Sequence, residues 1–163
     1  MRTIIKPELN ACDNIVEAAS WILLIALWAY VIQNFFELSD IIAVHFSFEE
    51  KANRYGSKAV IFIIPIVATF ATFLLSLINR WPHIFNYPIK ITVSNVARQY
   101  TLATRLLRML KIFILVVSGM ITFQFVRIVN DNSSLHGVTM LSIILFPIFL
   151  PLIIYLRASL RSR

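Results

Sequence analysis

Four long stretches with almost no charge, Ala18–Phe36, Ala59–Asn79, Ile112–Val126 and Asn132–Leu156, constrain this chain more than any other feature of it. The first two hold 19 and 21 residues, the length at which an α-helix crosses a hydrocarbon core of roughly 30 Å. Lipid cannot hydrogen-bond a peptide group, so each such segment must close its own backbone bonds as a helix. The third run is short, at 15 residues, and spans if Lys111 and Arg127 extend their aliphatic stems toward the headgroups. A soluble four-helix core would leave runs of this length facing water on one side. The 59% hydrophobic and 14% charged residues also fall outside the range of an ordinary soluble fold.

The expected fold is therefore all-α: a four-transmembrane-helix integral membrane bundle with a short extended outer loop and a basic amphipathic interfacial helix. A single domain covers 13–157, with spans at about 15–36, 59–79, 108–129 and 136–156. Residues 1–12 form a cytoplasmic N-terminal segment and 158–163 a basic cytoplasmic tail. The sole cysteine, Cys12, allows no disulfide within the chain. The first apolar run exceeds a signal-peptide core and follows Asp13 and Glu17 instead of a basic cluster, so it reads as a retained helix.

The 15 lysines and arginines are unevenly placed. Eleven precede the first span (Arg2, Lys6), lie between spans two and three (Arg80, Lys90, Arg98, Arg105, Arg108, Lys111) or form the tail (Arg157, Arg161, Arg163). Four lie on the other side: Lys51, Arg54, Lys58 and Arg127. The basic face is expected in the cytoplasm, with both termini inside. This distribution points to anionic lipid and topology, and no nucleic-acid partner is expected.

Local signals refine the picture. Asp13 is read as the N-cap of the first helix, and Trp21 as an interfacial anchor. Thr69, Thr72 and Ser76 share one stripe of the second span, and Gln124 is the other intramembrane polar side chain singled out. Such groups bring helices close and bond across them; a polar path is the sharper alternative. Trp81–Pro88, interrupted by prolines at both ends, reads as an irregular interfacial segment. A helix is expected from Thr92 or Ser94, with Arg98, Arg105, Arg108 and Lys111 on its basic side as contacts to lipid headgroups or a cytoplasmic regulator. Pro147 and Pro151 predict a kink in the fourth span.

The outer connection Glu37–Lys58 is the most specific part of the chain. Ile42, Val44, Phe46 and Phe48 alternate with Ala43, His45, Ser47 and Glu49, the period of an extended segment. Asn53–Ser57 reads as a turn, and Ser57 as a cap for the second span. The run Ile42-Ala43-Val44-His45-Phe46, then Tyr55-Gly56-Ser57-Lys58, then Pro65, resembles a bacterial membrane family: the domain of unknown function at the N-terminal end of the immunity protein against the sporulation-delaying peptide toxin (SdpI-like). Pro82–Pro88 is similar to stand-alone relatives of that domain, which extends the resemblance over about 21–127. Ser39 and Ala43 stand where the family carries prolines, and Glu50 and Asn53 where it carries a turn glycine and aspartate. The resemblance implies an integral membrane protein related to toxin immunity and sensing.

Chemistry is hard to find. His45 and His136 fall outside and His83 inside in this topology, so they cannot share a metal site, and no cofactor is expected. No ionisable group sits in the middle third of a span, and no nucleophile elbow or phosphate loop occurs. The expected function is a non-enzymatic membrane protein that binds or senses a peptide toxin through outer residues His45, Phe46, Phe48, Tyr55, Gly56 and Lys58. A transport accessory or permease subunit is the alternative. Candidate partners are the bilayer, a peptide toxin, a cytoplasmic regulator and a second copy of the chain.

Overall fold

The first helix begins with a reciprocal cap. The structure, a computed structural model, describes residues 5–46, 52–131, 149 and 151–161. Helix α1 spans Ala11–Glu37. Asn10 Oδ1 accepts from the Asp13 backbone N–H at 3.0 Å, and Asp13 Oδ2 accepts from the Asn10 N–H at 2.8 Å. The cap is thus Asn10, not Asp13 as the sequence suggested. With Asp13 at the third helical position two orphan donors are satisfied instead of one.

After α1 the chain turns into a two-stranded antiparallel hairpin, β1 (Ile41–Phe46) and β2 (Ala52–Ser57). Ile41 pairs with Ser57, Ile42 with Gly56, Ala43 with Tyr55, His45 with Arg54 and Phe46 with Ala52. The extended character expected of 42–46 is present, but Asn53–Ser57 is strand and not turn. Gly56 is used for close approach: a Cβ there would lie 3.3 Å from both γ-carbons of Val44. The register skips Val44 on one strand and Asn53 on the other, so the ladder is bulged on both sides.

Ser57 caps the next element as expected, its Oγ accepting from the Ala59 N–H at 3.2 Å. A 3₁₀ segment, Lys58–Phe62, runs straight into α2 (Ile63–Ile78). Pro65 sits in the first turn of α2, where its missing N–H breaks no internal bond. The segment after α2 is irregular, with a single 3₁₀ turn at Pro82–Ile84. Tyr87 pins it to the third long helix: its hydroxyl donates to the Pro82 carbonyl at 2.7 Å, and its ring stacks on buried Tyr100 at 5.6 Å.

That helix, α3, spans Val96–Asp131, 36 residues, and merges two predicted elements. The basic interfacial helix and the third span (about 108–129) are one rod of roughly 54 Å. No proline occurs in it, and the buried position of Lys111 lets the helix run through the charge that marked the expected boundary. A short helix α4, Pro151–Leu160, closes the described chain. Most of the predicted fourth span, Pro147 included, lies outside the described residues.

Among the described residues three helices, Ala11–Glu37, Lys58–Ile78 and Val96–Asn130, are long and apolar enough to cross a membrane. Helix α2 runs antiparallel to α1: Trp28 Nε1 donates to Thr69 Oγ1 at 2.9 Å, and Trp21 meets Phe73 edge-on at 5.1 Å. Helix α3 runs parallel to α1, with Thr101 accepting from the Glu8 N–H at one end and Phe123 against Tyr30 nearer the other. Leu24, Leu27, Val31, Ile61, Ala68, Leu115 and Val126 form the core. Ser20, Thr72, Thr104, Ser118 and Thr122 are buried among the helices, while Ile22, Ile25, Ile66, Phe70 and Val116 point outward. Small hydroxylated residues inside and bulky aliphatics outside is the arrangement that suits lipid, where burial of apolar surface does not drive helices together and close packing does.

Candidate functional site

Two places gather polar or exposed groups, one at each end of the bundle. At the α1–α2 junction the hairpin is clamped by Lys58. Its Nζ donates to the Leu38 carbonyl at 3.1 Å, pairs with Asp40 at 3.1 Å and lies 4.8 Å from the centre of the Phe35 ring. Its backbone N–H bonds the Asp40 carbonyl at 3.0 Å. Lys58, expected to face a ligand, instead holds the base of the hairpin, and the carbonyl at the end of α1 gains a cationic donor. Buried Leu38 and Ile42 anchor the hairpin to the core from within. Tyr55 is 65% exposed, and Ile41 on the neighbouring strand is also exposed. Among the described residues each strand has one neighbour, so each keeps one open edge. His45 and Phe46 belong to β1, while Phe48 lies outside the described residues.

At the opposite end, charges pair across the parallel helices α1 and α3. Arg105 grips Asp13 in a fork, Nε to Oδ1 at 2.8 Å and Nη2 to Oδ2 at 3.0 Å. One turn on, Glu17 receives Lys111 Nζ through Oε1 and faces Arg108 Nε across 3.4 Å through Oε2. Lys111 is 0% exposed and also donates to Ser76 of α2 at 3.0 Å, so three helices meet at one ammonium. The sequence pattern turned Arg98, Arg105, Arg108 and Lys111 outward together. Of these only Arg98 is exposed; the other three face the acids of α1. The signal was present in Asp13 and Glu17, four apart on one helix face, opposite cations at 105, 108 and 111 on the other.

The hydroxyl stripe of α2 divides. Thr69 is bonded to Trp28 and back to the Pro65 carbonyl at 2.6 Å, and Ser76 to Lys111. Thr72, fully buried, has a hydroxyl without a hydrogen-bond partner among the described residues, as does the side-chain carbonyl of Gln124. The stripe expected either to pack helices or to line a path is thus a packing seam at two of its three positions. Among the described residues no three His, Cys, Asp or Glu side chains gather where a metal could bind, and His136 lies outside them.

Residues 22–69 match the family model described as Domain of unknown function (DUF1648). The match takes in the second half of α1, the hairpin and the first turns of α2, a narrower region than the 21–127 of the sequence resemblance. It names a domain and no activity, and it does not link this chain to toxin immunity. No curated protein and no solved structure matches the chain.

Proposed function

We propose that this chain is a non-enzymatic, multi-pass protein of a bacterial cytoplasmic membrane whose hairpin stands on the outer face and recognises a hydrophobic or amphipathic peptide. The observation that carries the reading is the clamped hairpin itself. It sits at the end of the bundle away from the basic cluster, keeps two open strand edges among the described residues and displays Ile41 and Tyr55. An open edge can accept an extended peptide through backbone hydrogen bonds, with side chains on alternate positions setting selectivity. The family match covers this region and the membrane helices that present it. The excess of lysine and arginine at the other end supports an inward orientation for that end.

A fourth crossing completes the proposal. Helix α3 ends at Asp131 on the hairpin side, and buried Ser159 of α4 is bonded to Gln99 near the start of α3, its Oγ donating to Oε1 at 2.6 Å. The stretch of α3 from Gln99 to Asp131 rises roughly 48 Å, and this separation between Asp131 and Ser159 is what supports a fourth crossing in the proposal. The transport-accessory reading draws less support, because Thr69 and Ser76 spend their hydroxyls on interhelical bonds.

The test is genetic. Deletion of the gene is expected to sensitise the cells to a secreted peptide, encoded alongside it or by a neighbouring strain. Restoring the wild-type chain is expected to reverse this, and restoring a chain without the hairpin is not. Unchanged sensitivity to every such peptide would remove the proposal.

A further inference from the structure

We propose that the cavity between α1 and α3 beside Arg108 is a binding site for one phosphate-ester oxyanion. The cavity measures about 230 Å³ and is lined by Asn10, Cys12, Asp13, Arg105, Arg108 and others. That is several times the roughly 30 Å³ occupied by a water molecule. It lies beside the last charged residues before the uncharged parts of both helices, the depth at which lipid headgroups sit.

The charge balance calls for an anion. Three cations, Arg105, Arg108 and Lys111, face two carboxylates, Asp13 and Glu17. Both Asp13 oxygens are taken, by Arg105 and the Asn10 N–H, so the carboxylate in the cavity wall has its lone pairs engaged. Glu17 gives one oxygen to Lys111. Among the described residues Arg108 keeps only the 3.4 Å approach to the other, which makes no hydrogen bond. Only 9% of Arg108 is exposed, and its Nε and Nη1 are buried without a hydrogen-bond partner among the described residues. A buried guanidinium with idle donors is costly, and native structures satisfy such groups. Its planar fork matches the geometry of a phosphate, and bonds between two ionised partners are the strong ones. Water could fill the space but would leave the excess positive charge in place. The site is at the other end of the bundle from the hairpin, so it stands or falls separately from peptide recognition.

The test uses the full chain in nanodiscs of phosphatidylcholine with or without phosphatidylglycerol, and in detergent with inorganic phosphate. Native mass spectrometry and thermal unfolding are the readouts. The wild type is expected to retain one phosphatidylglycerol and to unfold at higher temperature with it. Arg108→Gln should lower that retention by about tenfold or more, Arg108→Lys should restore part of it, and exposed Arg98→Gln should leave it unchanged. In phosphatidylcholine alone Arg108→Gln should unfold no earlier than the wild type, since the 3.4 Å approach of Arg108 to Glu17 makes no hydrogen bond and two of its buried donors have no partner among the described residues. Millimolar inorganic phosphate that protects the wild type but not Arg108→Gln would support the same site filled from solution. Equal retention of the two lipids, equal losses in Arg98→Gln and Arg108→Gln, or early unfolding of Arg108→Gln in neutral lipid would each overturn the proposal.

Discussion

Replacing either partner of the Glu17–Lys111 pair breaks the same contact, yet the two losses should differ in size. Lys111 is 0% exposed, whereas the side chain of Glu17 is 31% exposed. In Glu17→Met the ammonium stays buried with Ser76 as its one remaining partner among the described residues, and Arg108 loses its carboxylate as well. An uncompensated buried charge of this kind costs about 3 kcal/mol or more. In Lys111→Met the exposed carboxylate keeps water and Arg108, so the loss is nearer one hydrogen bond, about 1 kcal/mol. For a chain of this size these correspond to roughly 6–12 °C and roughly 2–4 °C in unfolding temperature. The order of substitution also matters. Adding Lys111→Met to Glu17→Met removes the stranded charge and should raise stability, although the same change lowers it in the wild type. Thermal unfolding of the four proteins in one detergent gives the double-mutant cycle. Additive losses, or a Lys111→Met variant at least as unstable as Glu17→Met, would refute the coupling.

Three other outcomes come from the geometry. Asn10→Ala removes the side-chain half of the capping box and should cost about 1 kcal/mol, visible as faster amide exchange in the first turn of α1. Gly56→Val places a branched side chain against Val44, already 3.3 Å from the Cβ position; the expected cost is about 1–3 kcal/mol, with proteolysis at the hairpin and little change in bundle unfolding. Gln99→Leu leaves Ser159 without the acceptor 2.6 Å away and the donor to its carbonyl at 3.2 Å, so α4 should exchange amides faster while α1–α3 do not.

The long apolar helices were legible because the lipid requirement acts on one segment at a time. The expected 15–36 and 59–79 lie within a residue or a few of Ala11–Glu37 and Lys58–Ile78, since any uncharged run of that length must be helical. Pairings between segments were harder to read. Asn53 and Gly56 have the composition of a turn, and only the partner strand, with Val44 packed on Gly56, makes them strand. Arg105, Arg108 and Lys111 form a basic helix face by themselves; their acids lie about 90 residues away in sequence. Lys111 looks like the edge of a span because a lone lysine avoids lipid, whereas a lysine matched by Glu17 and Ser76 can sit inside the bundle. Ser57, by contrast, caps the residue two positions on, and this short-range role was visible in the sequence.

The hairpin and the basic cluster should lie on opposite sides of a membrane, and single-cysteine labelling measures this most directly. With exposed Cys12 changed to serine, cysteines are placed at Arg54 on the hairpin and at Val93, which is 90% exposed ahead of α3. In intact cells a membrane-impermeant maleimide should label Arg54→Cys, and Val93→Cys only after permeabilisation. Labelling of both positions from the same side would contradict this orientation and the peptide-recognition role built on it.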